Sequence, residues 1–87
     1  MQVSNSTSQG AHYTISGGGD GTPITGTYST GFLKPGAEQE VKVSGLGPWK
    51  VQFVPEQGDR VVVKAYKPDD CVQLLDQSGM LYAEIAA

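Results

Sequence analysis

The sequence predicts an all-β protein, a small antiparallel β-sandwich or partly open barrel of about six or seven short strands. Three observations carry this expectation. Residues 49–66 alternate apolar and polar side chains on either side of a Pro/Gly turn, the pattern of a hairpin. Turn chemistry recurs every 8–12 residues or so along the rest of the chain, the spacing of sandwich strands. No segment sustains a helical period beyond about two turns before a Gly or Pro stops it.

Taken in order, residues 1–10 (MQVSNSTSQG) are polar and read as a flexible or partner-pairing N-terminal arm of a single domain spanning 1–87. Val3 is the one position there from which a short edge strand would start. Residues 11–16 form a strand with Tyr13 and Ile15 on one face and His12, Thr14 and Ser16 on the other. Gly17-Gly18-Gly19-Asp20-Gly21 is a loop, because so many glycines lose too much backbone entropy inside an element. Residues 23–31 are Thr-rich with Ile24 and Tyr28 and read as a second strand, weakened or bulged at Gly26. Pro35 followed by Gly36 is the order a type II turn prefers. A strand over 37–44 then turns Val41 and Val43 inward, and Gly45-Leu46-Gly47-Pro48 leads into the main hairpin.

In that hairpin, Trp49, Val51 and Phe53 share the core face, and Pro55-Glu56-Gln57-Gly58 makes the turn. Residues 60–66 return with Val61, Val63 and Ala65 on one face and Val62, Lys64 and Tyr66 on the other. Three successive valines imply a central strand covered on both faces. Lys67-Pro68-Asp69-Asp70 is a further turn. Residues 71–75 and 80–86 form a last pair of strands around a four-residue loop, Asp76-Gln77-Ser78-Gly79. A short C-terminal helix over 81–87 is the main alternative for the final segment.

Leu33-Lys34-Pro35-Gly36, placed just before an alternating strand, resembles the L-x-P-G turn of immunoglobulin-like sandwiches. The resemblance implies an immunoglobulin-like sandwich and transfers no site residue.

Composition narrows the function. At 87 residues a chain buries about 60–65% of its unfolded surface, enough for one modest core. It is acidic, with net charge −3, and its six basic residues are scattered. No basic patch exists to bind nucleic acid or an anionic membrane. The single cysteine, Cys71, excludes an intrachain disulfide. The first residues lack the basic and apolar regions of a signal peptide, so the expected setting is the cytoplasm or a virion. No apolar run is long enough for a membrane-spanning helix.

Catalytic and metal chemistry find little purchase. A Cys/His dyad requires Cys71 to meet His12, the only histidine, and Asp69 and Asp70 beside Cys71 disfavour its thiolate. One His and one Cys cannot make a conventional zinc site. Asp69, Asp70 and Asp76 lack EF-hand spacing and read as turn formers. The glycine loop is followed by Thr22-Pro23 rather than Lys-Ser/Thr, so it is not a phosphate loop. Asn5-Ser6-Thr7 fits the glycosylation sequon and reads as a chance match. No cofactor is expected.

The expected function is therefore non-catalytic: a structural or protein-interaction module, homo-oligomeric, of the kind found in a phage or viral particle or an accessory binding protein. Between Met1 and Leu33 the only charged side chain is Asp20, so strands there lack the charges that blunt sheet edges. The alternative is a small carbohydrate-binding module. Its candidate contacts are Trp49, Tyr28, Tyr66 and Tyr82, whose rings can stack on a ligand, with Asp20 as an acceptor.

Overall fold

The fold was obtained as a computed structural model, which describes residues 1–17, 28–43 and 48–86. Among the described residues eight strands form two four-stranded sheets. They are β1 (Gln2–Asn5), β2 (Ala11–Gly17), β3 (Tyr28–Leu33), β4 (Glu38–Glu40), β5 (Trp49–Pro55), β6 (Val61–Ala65), β7 (Cys71–Gln77) and β8 (Met80–Ala86). Sheet I has the order β4-β1-β7-β8 and sheet II the order β3-β2-β5-β6. All neighbours are antiparallel except β1 and β7, which run parallel. The expected β-sandwich is present, and residues 81–86 belong to a strand rather than a helix.

Period-2 alternation builds the core. On β2, Ala11, Tyr13 and Ile15 face inward; on β5, Trp49, Val51 and Phe53 do the same. Leu33 and Ala65 complete the inner face of sheet II. Val3, Val72 and Leu74 oppose them from sheet I. Fully burying a side chain such as Phe53 or Leu74 stabilises the fold by about 1.5–3 kcal/mol each. Gly31 is required where it stands. It pairs with Tyr13 across β2 and β3, and a Cβ there would lie 2.7 Å from Tyr13 Oη, inside van der Waals contact.

Two expectations about central and peripheral elements are reversed. Residues 1–10 are not an arm outside the fold. β1 lies between β4 and β7, with Val3 wholly buried. Asn5 replaces apolar contact with hydrogen bonds: Nδ2 donates to Gln9 O at 2.7 Å and Leu33 O at 3.1 Å. Its Oδ1 accepts from Thr7 N at 3.0 Å and Thr7 Oγ1 at 2.6 Å. The sequon asparagine thus has both amide hydrogens committed inside the folded chain. β6, in turn, is not a central strand. It closes one edge of sheet II and leaves Val62 exposed; the valine triplet reflects strand propensity, not two covered faces.

The turns follow their chemistry. Gly36 has φ +79° and Ala37 N donates to Lys34 O at 2.9 Å, the geometry of a type II turn. Leu33, read with Lys34-Pro35-Gly36 as part of that turn, is the last residue of β3. The β7–β8 loop is tighter than expected. Gln77 pairs with Met80, leaving Ser78 (φ 54°) and Gly79 (φ 80°) as a two-residue loop, with the left-handed pair that a type I′ hairpin needs.

Candidate functional site

Each candidate residue has a definite place or lies outside the described residues. Trp49 is only 2% exposed and points into the core, because alternation on β5 sends it inward with Val51 and Phe53. It has no face to offer a ligand. Among the described residues its buried Nε1 has no hydrogen-bond partner. Tyr66, just past β6, is 69% exposed, and Tyr82 on β8 is 38% exposed. They belong to different sheets, so they form no common stacking platform. Tyr28 begins β3, opposite Ser16; its side chain, like Asp20, lies outside the described residues.

The residues considered for chemistry are also separated. Cys71 lies on the outer face of sheet I, where its thiol approaches Gln2 Oε1 at 3.5 Å. His12 lies on the outer face of sheet II, edge-on to Phe32 with ring centroids 4.8 Å apart. The core stands between them, so they make no dyad. Asp70 Oδ2 accepts from Tyr66 N and Lys67 N, both at 3.1 Å, and so serves the β6–β7 turn. Among the described residues no three His, Cys, Asp or Glu side chains come together as a metal site.

What the fold assembles instead is a set of surfaces. Opposed residues on neighbouring strands share a face, so the registers define the two outer faces. On sheet II, Phe32, His12 and Val54 form one cross-strand row at the end where β2 begins. Thr30, Thr14, Gln52 and Val62 follow in the next row, and Ser16, Lys50 and Lys64 in the one after. Phe32, Val54 and Val62 are each more than 40% exposed. The outer face thus runs from an apolar end to a basic end, with no acidic side chain among its described positions.

Sheet I carries the reverse charge. Its outer rows read Glu40, Gln2, Cys71 and Ala86, then Glu38, Ser4, Gln73 and Glu84. Leu75 with Tyr82, and Gln77 with Met80, continue toward the β7–β8 turn. Met80 is 73% exposed. This face runs from an acidic end to an apolar end. Hydrogen bonds from Ser6 N to Leu74 O and from Glu56 N to Gly10 O show that the apolar ends of both faces lie at the same end of the sandwich.

That same end holds a cleft of about 410 Å³ between the β5–β6 loop and the β7–β8 hairpin. Gln9, Gln57, Asp59, Arg60 and Asp76 give it polar walls, and Val61, Met80 and Leu81 an apolar lining. Gln9 Oε1 accepts from Gln57 N at 2.7 Å, tying the wall to the β1–β2 connection.

The edges complete the surface. β3 and β6 are the edges of sheet II and β4 and β8 those of sheet I among the described residues, with β6 and β8 packed against each other. β3 (YSTGFL) contains no charged residue and no proline, and among the described residues no strand pairs with its outer side. The charge-poor N-terminal third identified in the sequence therefore presents one edge, β3, since β1 and β2 are interior. The face polarity was not anticipated, because it depends on register between strands far apart in sequence. The in-phase placement of Lys50 and Lys64 about the hairpin was the one signal of it in the chain. No family model, curated protein or solved structure matches this chain.

Proposed function

We propose that this chain is a non-catalytic interaction module that associates with copies of itself, serving as a structural unit of a multi-copy assembly. The observation that supports the reading is the β3 edge. Among the described residues, six positions with neither charge nor proline leave a row of backbone donors and acceptors open to another strand, and nothing in their chemistry repels one. A second β3 is a suitable partner, because two uncharged copies running antiparallel bring no like charges together. Phe32, 47% exposed on this strand, adds apolar contact next to the new ladder.

Thr30 allows a test. Its side chain is exposed on the outer face of sheet II, so Thr30→Lys adds an edge charge without crowding the core. It gives up one hydrogen bond, from Oγ1 to Tyr13 O at 3.0 Å, at a cost of about 1 kcal/mol. The variant is expected to stay folded by circular dichroism and to shift sedimentation toward the monomer. A wild-type chain that sediments as a monomer at all concentrations, or a variant that associates as strongly as wild type, would refute edge pairing.

A further inference from the structure

We infer that the cleft between the β5–β6 loop and the β7–β8 hairpin is a binding site for a zwitterionic ligand with an aliphatic side chain, a short unblocked peptide being the best match. The site is independent of the β3 edge and of self-association.

Strand phase makes the cleft more than a gap between loops. On β7, Val72 and Leu74 point into the core and are wholly buried. Asp76 follows in the same phase, paired with Leu81 across β7 and β8, so a carboxylate stands where the pattern calls for a third apolar residue. It is exposed because the space between the sheets opens there. Val61, at the start of β6, shares the core-facing phase of Val63 and Ala65 on sheet II. The cleft is therefore the mouth of the inter-sheet space, with Val61 and Leu81 half-buried in its lining and Asp76 on its inner side.

Charge supplies the second observation. Asp59, Arg60 and Asp76 all line the cleft. Among the described residues none of these three side chains makes a hydrogen bond or an ion pair. Both signs of charge thus surround about 410 Å³ of space without neutralising each other. Small-molecule sites enclose about 300–1,000 Å³. A ligand with one charge satisfies one sign and leaves the other to water. A zwitterion answers both: the Arg60 guanidinium pairs with a carboxylate through two parallel hydrogen bonds, and Asp76 accepts from an ammonium group. Val61, Leu81 and the exposed Met80 receive the aliphatic side chain, and the Gln57 side-chain amide can serve a peptide group as donor or acceptor. Among the described residues no aromatic ring lines the cleft, which sets this ligand apart from a sugar stacked on a flat face.

The walls are in place before any ligand arrives. Gln57 N donates to Gln9 Oε1 at 2.7 Å, Gly10 N to Glu56 Oε1 at 3.1 Å and Glu56 N to Gly10 O at 3.1 Å. These bonds hold the β5–β6 loop to the β1–β2 connection. The tight loop at Ser78 and Gly79 fixes the opposite wall. A site whose groups are already placed loses less freedom on binding.

Titration with the dipeptide Leu-Leu, followed by backbone amide chemical shifts, tests the site. Near neutral pH the free dipeptide carries both charges, its N-acetyl form only the negative one and its C-terminal amide only the positive one. Free Leu-Leu is expected to shift the amides of Gly58, Asp59, Arg60, Asp76 and Met80, saturating with a dissociation constant on the order of 0.2 mM for a ligand of its size. Each blocked form should bind about three- to tenfold more weakly. Arg60→Gln should abolish the preference for a free carboxylate and keep that for a free amine, and Asp76→Asn should do the reverse. Both positions are exposed, so both variants should keep the wild-type thermal transition. Equal binding of free and blocked dipeptides, or variants that bind as wild type does, would overturn the zwitterion match. Absence of saturable shifts up to about 10 mM would overturn the site itself. Thr30→Lys should bind Leu-Leu as wild type does, so a failure of edge pairing and a failure of this site read out separately.

Discussion

Asn5 is a polar residue in a position where the strand pattern calls for an apolar one, and it holds that position by using its full hydrogen-bonding capacity. An asparagine amide offers two donors and two acceptor sites, and all four are engaged within the chain. Burial without those partners would cost about 1–3 kcal/mol for each orphaned group. Asn5→Ala leaves Leu33 O and Thr7 N without their partner, in surroundings that admit little water. We expect a loss of about 2–4 kcal/mol, read as a lower urea midpoint with an unchanged slope. A shift worth less than about 1 kcal/mol would mean that the network contributes little. From the sequence, Asn5 reads as part of a polar arm and of a chance sequon. Only the position of Leu33 O, 28 residues away along the chain, makes it a core residue.

Elements were legible where their stability is local. β2 and β5 alternate cleanly, and Tyr13, Ile15, Trp49, Val51 and Phe53 face the core as their phase requires. The Pro35-Gly36 turn obeys the chemistry of its two residues. β4 falls within the strand expected over 37–44, and β1 was legible only at Val3, for a physical reason. β1 has one buried apolar side chain, Val3, and β4 (EQE) has none, so both exist through pairing with neighbours. The β7–β8 hairpin offers a test at this scale. Its I′ loop needs φ > 0 at both positions, which Asn-Gly meets best. Ser78→Asn is expected to raise stability by about 0.5 kcal/mol, and Gly79→Ala to lower it by about 1 kcal/mol. Equal thermal midpoints for the two variants would show that this turn does not govern the hairpin.

At the scale of the whole molecule, the sequence indicates a sandwich but not its surfaces. Composition shows a scattered set of charges. Among the described residues the registers gather Glu38, Glu40 and Glu84 on the outer face of sheet I and Lys50 and Lys64 on that of sheet II, and no reading of one strand at a time can reveal this. The candidate aromatics illustrate the same limit. Trp49 is the most conspicuous residue in the chain and is buried, whereas Phe32 and Val54 supply exposed apolar area on sheet II. A surface of this kind depends on which strands are neighbours, as the pairing of β1 with β7 shows most clearly.

That pairing also bears on how the chain is made. Sheet II draws on one stretch of polypeptide, from β2 to β6, whereas sheet I needs β1, β4, β7 and β8, the first strand and the last. During synthesis β1 has no parallel partner until β7, 69 residues further along from Gln2 to Cys71, has emerged. Long-range pairings of this sort are slow to form. Sheet II is then expected to organise first, with Ile15, Val51 and Phe53 uncovered for a time and open to aggregation. In refolding followed by pulsed hydrogen exchange, amides of β2 and β5 should become protected before those of β1 and β7. Simultaneous protection would show that the sandwich closes in one step.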